Sequence, residues 1–520
     1  MKRIIFLLSV ILFSTSIFAQ ETEVLENSEI TETSEFVEET QEEIKASKGG
    51  YAEIPAAKRP KPIDQEKAIE AAKKDDSADD EENFKNTIKY GLPSEISELL
   101  DDLIENKDPR FSEEIYDVFQ SSKSPVLKEK ILNYFKQNED PCLEDFAVTV
   151  LNDPYDEKSE VVKACFQYIA AVKCTAATPA VINLLESENE NYFNDALSAI
   201  GDIGSAEDAL FIAEYLERDD LSAAQRQSLM RTLGKMHAVQ TWDKVVAILE
   251  NEDENTFVRM YAAEALGAME KEESVPILVQ AFGATDPNLR QYVIKGLSYF
   301  PNVLEARATI VQGIRDEHWR VRQESIKSAT KMELTDAIPY LIYRVKNDAE
   351  KLIKEESIAS IAKINTTEGN DFLILQLKDK KLGDGTKAKI VQELLKAGHA
   401  GQKEILELAD EVVQDDKRKS LRYAIGKELA KNTKPEYKDI CAKFLDSKDA
   451  QTISLGLDMY KNHKFAELEP NLKKIAEDKK ASANKNRAKK FLGIEDEDED
   501  EKKDDKEIKK DSSSSSDDAK

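Results

Sequence analysis

A basic side chain returns about every 32 residues through seven consecutive segments, at Arg226, Arg259, Arg290, Arg322, Lys354, Lys387 and Arg418. In four of these an aspartate stands six residues earlier, giving Asp220 with Arg226, Asp253 with Arg259, Asp316 with Arg322 and Asp348 with Lys354. A chain with this period stacks one small unit on the next, each unit burying its apolar faces against its neighbours. Function is then to be sought along an extended surface rather than in one pocket.

The unit is read from its apolar positions. Ala170, Gly201, Gly234, Gly267, Ser298, Thr330 and Ala362 serve as one equivalent position, and the residue two places on is apolar each time, from Val172 and Ile203 to Ile364. Apolar residues also stand one and four places before it, as in Leu233 with Met230 or Ile361 with Ile358, which is the stripe of one helix. A second stripe lies 11, 12 and 15 places after it, as in Val245, Val246 and Leu249. Between the stripes, nine places on, come Pro179, Pro276 and Pro339, where the first turn of a second helix has no intrahelical use for the missing N–H. Each repeat is therefore expected to be two antiparallel amphipathic helices. No alternating pattern competes, so the class is all-α, and only 18 glycines in 520 residues suit one elongated helical array better than several globular domains.

The stretch Val258-Arg259-Met260-Tyr261-Ala262-Ala263-Glu264-Ala265-Leu266-Gly267, followed by Val275-Pro276 and carrying the six-residue Asp-to-Arg spacing, resembles the HEAT-repeat family. The likeness is to the short bacterial repeats also seen in bilin-lyase-type repeat proteins. It implies a right-handed α-solenoid of about ten to eleven helix pairs. It further implies that Asp253, Arg259, Asp316 and Arg322 sit at the inter-helix turn and first helix and bond to neighbouring repeats. A groove lined by second helices is the binding surface implied, at exposed positions such as Glu214, Lys244, Gln280, Gln312, Arg344 and Gln376. The pattern is regular over 156–380, weaker over 381–493 with anchors near Leu395, Gly426 and Asp458, and divergent over 86–155, where Pro109, Pro125, Pro141 and Pro154 punctuate the helices.

The ends read differently. Lys2 and Arg3 precede the apolar stretch Ile4 to Phe13, and Ala19 offers a small residue for cleavage, so residues 1–19 are read as a secretory signal peptide. The apolar stretch is short for a spanning helix, and no cysteine near the cleavage point suggests lipoprotein processing. Its style is bacterial, which makes a periplasm the expected destination. Residues 20–85 form an arm, acidic from Glu21 to Glu43 and then rich in lysine and proline around Lys58 to Pro62, that cannot bury a core, with a short helix near Gln65 to Lys74. Residues 494–520 are an acidic and serine-rich tail with an unbroken acid run from Glu495 to Glu501, which lacks the spaced ligands and turn glycine of a calcium loop.

Charge and chemistry exclude more than they select. The formal charge is -29, and losing residues 1–19 removes two cations and no acid, leaving -31. Such a surface repels phosphate backbones, so nucleic acid is not an expected partner. Cys142, Cys165, Cys174 and Cys441 lack metal-type spacing. Cys165 lies on the apolar stripe and suits a buried thiol; a bridge to Cys174 or to Cys142 is the alternative, stapling adjacent helices. His237, His318, His399 and His463 fall in different repeats, which argues against one metal site. HEAT-repeat iron hydroxylases carry His-Glu pairs, whereas here the following residues are Ala238, Trp319, Ala400 and Lys464. No phosphate-cradling glycine loop or nucleophile elbow is present. No cofactor is expected.

The reading is a non-enzymatic, exported scaffold or assembly factor that binds a protein partner. Its alternatives are an envelope enzyme or ligand carrier using the groove, and a solenoid that self-associates through its ends. His318-Trp319-Arg320 is the candidate protein-binding spot, since Trp and Arg are enriched at the energetic centres of interfaces. The blander role for Trp319 is to cap the neighbouring repeat's core.

Overall fold

The first helix of a repeat is specified at both ends. In Thr256–Ala268 the Asn255 side chain accepts the Phe257 N–H at 2.9 Å, and Val258, Ala262, Ala265 and Leu266 make one buried face. The helix then stops because Glu270 turns left-handed at φ 54°. That device recurs with side chains other than glycine: Lys107, Glu139, Lys173, His237, Glu333 and Asn365 all take positive φ one or two residues past a first helix. Left-handed backbone is disfavoured for all of these except Asn365. Here it is held by the packing of the two helices that flank it, which explains how the chain manages with so few glycines.

The computed structural model describes residues 59–72, 80–187, 191–218, 220–478 and 483–494. Over Pro60 onward the described residues form one all-α solenoid, with no strand among them. Twelve complete pairs can be traced among the described residues, from Pro93–Asn106 with Ser112–Ser121 to Ala450–Asn462 with Glu469–Ala476. Helix Asp80–Tyr90 adds to the second-helix row at one end and Ala483–Leu492 to the first-helix row at the other. Twelve pairs are one or two more than the ten to eleven implied by the sequence, whose pattern diverges before residue 156. Pro179, Pro276 and Pro339 each lie in the first turn of a second helix, as the pattern requires.

One apolar core runs without a break from Ile88 to Ala488. Its two rows are not equally close. A Cβ on Gly267 would lie 2.4 Å from the Gly296 carbonyl oxygen, one on Gly296 would lie 2.4 Å from that of Ala263, and one on Gly234 would lie 2.8 Å from the Ala265 Cα. First helices therefore touch backbone to backbone in this region, and the anchor glycines serve close approach rather than turning.

Within the span read as an arm, Gln65–Ala72 is helical and Ala71 is buried. Lys61 donates from its backbone N–H to Asp140 Oδ2 at 2.7 Å and from Nζ to the Glu139 carbonyl at 2.9 Å. Flanking Pro60 and Pro62 hold this short piece extended with little entropy left to lose. The signal peptide, the acidic part of the arm and the run Glu495–Glu501 lie outside the described residues.

Candidate functional site

The ladder cation is the fourth residue of each first helix, and its guanidinium works in two directions. Backward, Arg226 donates to the Leu216 carbonyl at 3.1 Å, Arg259 to Leu249 at 3.0 Å, Arg290 to Ala284 and Thr285 at 2.9 Å, and Arg322 to Asp316 at 3.1 Å and Glu317 at 2.9 Å. Forward, Arg290 grips Asp316 with two bonds of 2.8 and 2.9 Å, Arg322 meets Asp348 at 2.8 Å, and Arg226 meets Glu254 at 2.5 Å. Asp316 and Asp348, six residues before Arg322 and Lys354, thus turn their carboxylates to the arginine of the preceding repeat, and Asp316 offers its own Arg322 only backbone oxygen. Six residues is the spacing of the turn, and the ion pair spans the repeat boundary.

Individual members depart from this plan. Asp220 pairs with Arg218 at 2.6 Å rather than with Arg226, and Asp253 is exposed while Glu254 takes its place. Lys354 and Lys387 form no ion pair among the described residues, and a lysine lacks the fork that reaches carbonyl and carboxylate together. Lys387 is nonetheless buried. Arg418 belongs to the 3-10 turn Asp416–Arg418, reaching back to Asp384 at 2.9 Å and to Glu411 at 2.7 Å.

The ladder position of that repeat is Arg422, fully buried, donating to the Val413 carbonyl at 3.1 Å and facing Asp416 at 3.5 Å and Asp449 at 3.6 Å. The true anchor is Ala430 and not Gly426. A slip of four residues is one helical turn, so the apolar stripe stays in phase and cannot report it. Asp416, six before Arg422, was the available signal. Arg422→Ala is expected to cost about 3 kcal/mol, since it empties a fully buried site and takes the guanidinium from the mostly buried Asp449. Arg418→Ala is expected to cost within about 1 kcal/mol, because that pair is solvent-screened. Urea unfolding of the two variants measures both, and the reverse order would refute the register.

His318, Trp319 and Arg320 open the first helix Trp319–Lys331. His318 caps it, accepting the Arg320 N–H at 3.4 Å, and stacks on Trp319 at 6.1 Å between centroids, with the Arg320 guanidinium 5.3 Å from the indole. Trp319 is half-buried against the core and Arg320 also meets Asn288 at 3.3 Å. This fits the capping role. Trp242 likewise starts a second helix, donating to Ser274 at 2.8 Å with Lys271 3.7 Å from its ring.

Of the second-helix positions, Gln312 lines a groove of about 720 Å³ with Arg307, Arg315 and Tyr340, while Arg344 is taken up by Asp348 at 3.2 Å. The richer surface lies on the first helices. A groove of about 410 Å³ is lined by Asn194, Ser198, Arg231, Lys235, Tyr261, Glu264 and Tyr299. Beside it Tyr261 and Tyr292 meet edge to face at 5.2 Å. Arg231 lies 5.7 Å from the Tyr261 ring, Lys331 5.1 Å from Tyr299, and Lys295 5.5 Å from Tyr292 while paired with Glu264 at 2.6 Å. Such cation-ring contacts contribute about 0.5–1 kcal/mol each at exposed sites. Burial pushes the Tyr292 phenol well above its ordinary range, with Tyr261 and Glu264 adding to the shift, so it stays protonated.

A second groove, about 590 Å³, carries Lys327, Lys331, Glu356, Lys363, Lys396 and His399. There Gln323 donates to one Glu356 oxygen at 2.6 Å, while its other oxygen is buried without a partner. Sequence reading missed both grooves, although Arg231, Tyr261 and Tyr292 sit one helical turn or less from the ladder and stripe positions it used.

These groups suit recognition by charge and ring faces. All four cysteines are buried and none is in a disulfide; burial raises the thiol pKa of Cys142, Cys165 and Cys441, the last to about 12, so these three are not ready nucleophiles. His237 occupies a left-handed turn, His463 packs on Phe465 at 4.6 Å, and among the described residues no three His, Cys, Asp or Glu side chains are grouped as metal ligands. Nor is any described helix long and apolar enough to cross a membrane.

Stacked helix pairs joined by a cross-boundary arginine ladder define an α-solenoid of the HEAT type. Residues 88–491 match the family described as spirochaete HEAT repeat protein, and the chain belongs to that family. A deoxyhypusine hydroxylase of Candida albicans is 30% identical over 105 residues, which are 20% of this chain and 32% of the hydroxylase. The chain thus spans about a third of the length of that relative. Among solved structures, the complex of CpcE and CpcF of phycocyanin lyase from Nostoc sp. PCC7120 is similar over 49% of this chain and 94% of that one, at 16% identity and TM-score 0.28. Kap95p, in a structure with RanGDP, covers 78% of this chain and 62% of its own, at 12% identity and TM-score 0.38.

Proposed function

We propose that this chain is an exported, non-enzymatic scaffold of the cell envelope that binds a protein partner along its first-helix face. The observation that carries the reading is the groove around Tyr261 and Tyr299, where half-buried rings lie under Arg231 and Lys331 beside a backbone-to-backbone helix contact. Rings that lose few rotamers on binding, flanked by cations, are the usual anchors of an interface. The spacing of the four histidines, and the absence of glutamate after any of them, weigh against the hydroxylase chemistry named for the partial relative. Export rests on Lys2, Arg3, the Ile4 to Phe13 stretch and Ala19.

The test is a crosslinked capture from the native envelope fraction with the wild-type chain, with Arg231→Glu/Tyr299→Ala, and with Trp319→Ala/Arg320→Ala. A defined protein held by wild type and by the Trp319 variant, but lost with the groove variant, is the expected result. Equal capture by all three would sink the groove assignment. Mass measurement of the purified chain checks export, which predicts an N-terminus at Gln20.

A further inference from the structure

We propose that the acidic run Glu495–Glu501 docks in cis along exposed lysines at, or one turn before, the C-terminal edge of the first-helix row, chiefly Lys461, Lys427 and Lys396. The second helix of each pair brings the chain back, so successive first helices run parallel and end at one edge. Their last turns carry a lysine again and again, at Lys235, Lys295, Lys331, Lys363, Lys396 and Lys461. Part of this is ordinary compensation of the helix dipole.

Early in the array these cations are already neutralised, as Lys173 and Lys235 share Asp202 and Lys295 pairs with Glu264. Later most are not: Lys431 pairs with Glu428, but Lys363, Lys396 and Lys461 in last turns, and Lys327 and Lys427 one turn before the helix end, are exposed and form no ion pair among the described residues. In a chain of formal charge -29, an unpaired cationic edge is a segregated feature that selects an anionic occupant.

The last first helix, Ala483–Leu492, delivers such an occupant to that edge. Gly493 takes φ +70°, and the Ile494 N–H bonds the Lys489 carbonyl at 3.0 Å, so the chain is folded across the helix end there. The acid run begins with the next residue, and 26 residues follow Ile494 in all. Seven extended residues cover roughly 23 Å, and neighbouring helices stand about 8–10 Å apart. The run therefore spans the two steps from the last helix to Lys461 and Lys427 without any loop, and its far end meets the extended side chain of Lys396 on the third helix. The opposite face offers no comparable site: Lys403 and Lys443 there are paired with Glu407 and Asp410, in a groove that also holds Glu436 and Asp439. This inference does not rest on the partner-binding reading, whose groove lies elsewhere in the row.

Zero-length carboxyl-to-amine coupling of the full chain, read by peptide mass spectrometry, tests it. Links from Glu495–Glu501 to Lys396, Lys427 and Lys461 are expected, and they should disappear at 1 M salt, where screening acts within about 3 Å. A chain with all seven acids changed to their amides keeps an untouched solenoid. In it the same three lysines should become more reactive to acetylation, while Lys403 and Lys443 stay unchanged. Links spread over both faces, or unaltered lysine reactivity, would overturn the proposal. So would hybrid links in a mixture of isotope-labelled and unlabelled chains, which would make the occupant the run of a second copy.

Discussion

Gly267→Leu is expected to destabilise the central repeats by about 3 kcal/mol or more, at or beyond the upper end of ordinary overpacking. The reason is the identity of what the new atoms meet. A Cβ at Gly267 lies 2.4 Å from the Gly296 oxygen and 2.5 Å from the Gly296 Cα, and neither is the movable end of a side chain. Even Gly267→Ala requires the two first helices to separate along the whole seam, because Gly296 lies as close to that same helix at the Ala263 carbonyl. Gly385→Ala is the matched control. That position has open space around a Cβ, so the change should be neutral or stabilise by about 0.4–1 kcal/mol through the unfolded chain. Urea unfolding followed by circular dichroism separates the cases. A Gly267 variant as stable as wild type would mean that the first helices do not touch as described.

Arg322→Ala is the second large effect, expected at about 3–5 kcal/mol, the range for breaking a buried ion pair from one side. Asp348 has 0% of its side chain exposed and would keep a buried carboxylate with the Arg344 contact at 3.2 Å and the Glu350 N–H at 3.0 Å as its remaining donors. Burial alone would raise the Asp348 pKa. Donation from Arg322, the Glu350 N–H and Arg344 outweighs it and holds the carboxyl below its usual range.

Asp316 is lowered in the same way, with burial opposed by Arg290 and the His318 N–H. A carboxyl depressed in the folded state adds stability above the unfolded pKa of about 3.9 and loses it as pH falls through the lower folded value. Wild-type stability should accordingly decline below about pH 4. In Arg322→Ala the largest donor to Asp348 is lost and its contribution is reduced, so the acid-side loss should be shallower. Unfolding midpoints between pH 3 and 7 measure it, and parallel curves for the two chains would count against Asp348 as the buried member.

The helix pairs were legible because burial on a helix repeats every three to four residues whatever the neighbours do. Leu233, Leu266 and Ile361 lie in the core where the stripe puts them. Register within the weaker repeats was not legible for the same reason, since Gly426 and Ala430 occupy one face a turn apart. The turns were hidden more thoroughly. Lys173, His237, Glu270 and Glu333 carry no turn signature, and their left-handed backbone is imposed by the packing around them. The ladder arginines could be picked out, but their partners lie a full repeat away, and a six-residue spacing invites pairing within the unit. The aromatic groove depended on Tyr261, Tyr292 and Tyr299 coming from neighbouring repeats, a juxtaposition that exists only once the stack is formed.

The matched glycines carry a consequence for how this chain can have evolved. Gly267 fits Gly296, Gly296 fits Ala263, and Gly234 fits Ala265, whereas Gly426 lies against Phe444 and Leu455. These seams are thus private locks, each between two particular units. Excising a central unit, or copying one into another place, would set a bulky surface against a neighbour shaped for a bare backbone. Lineages of this array should have drifted in place, residue by residue with compensation across each seam, rather than by shuffling interchangeable parts.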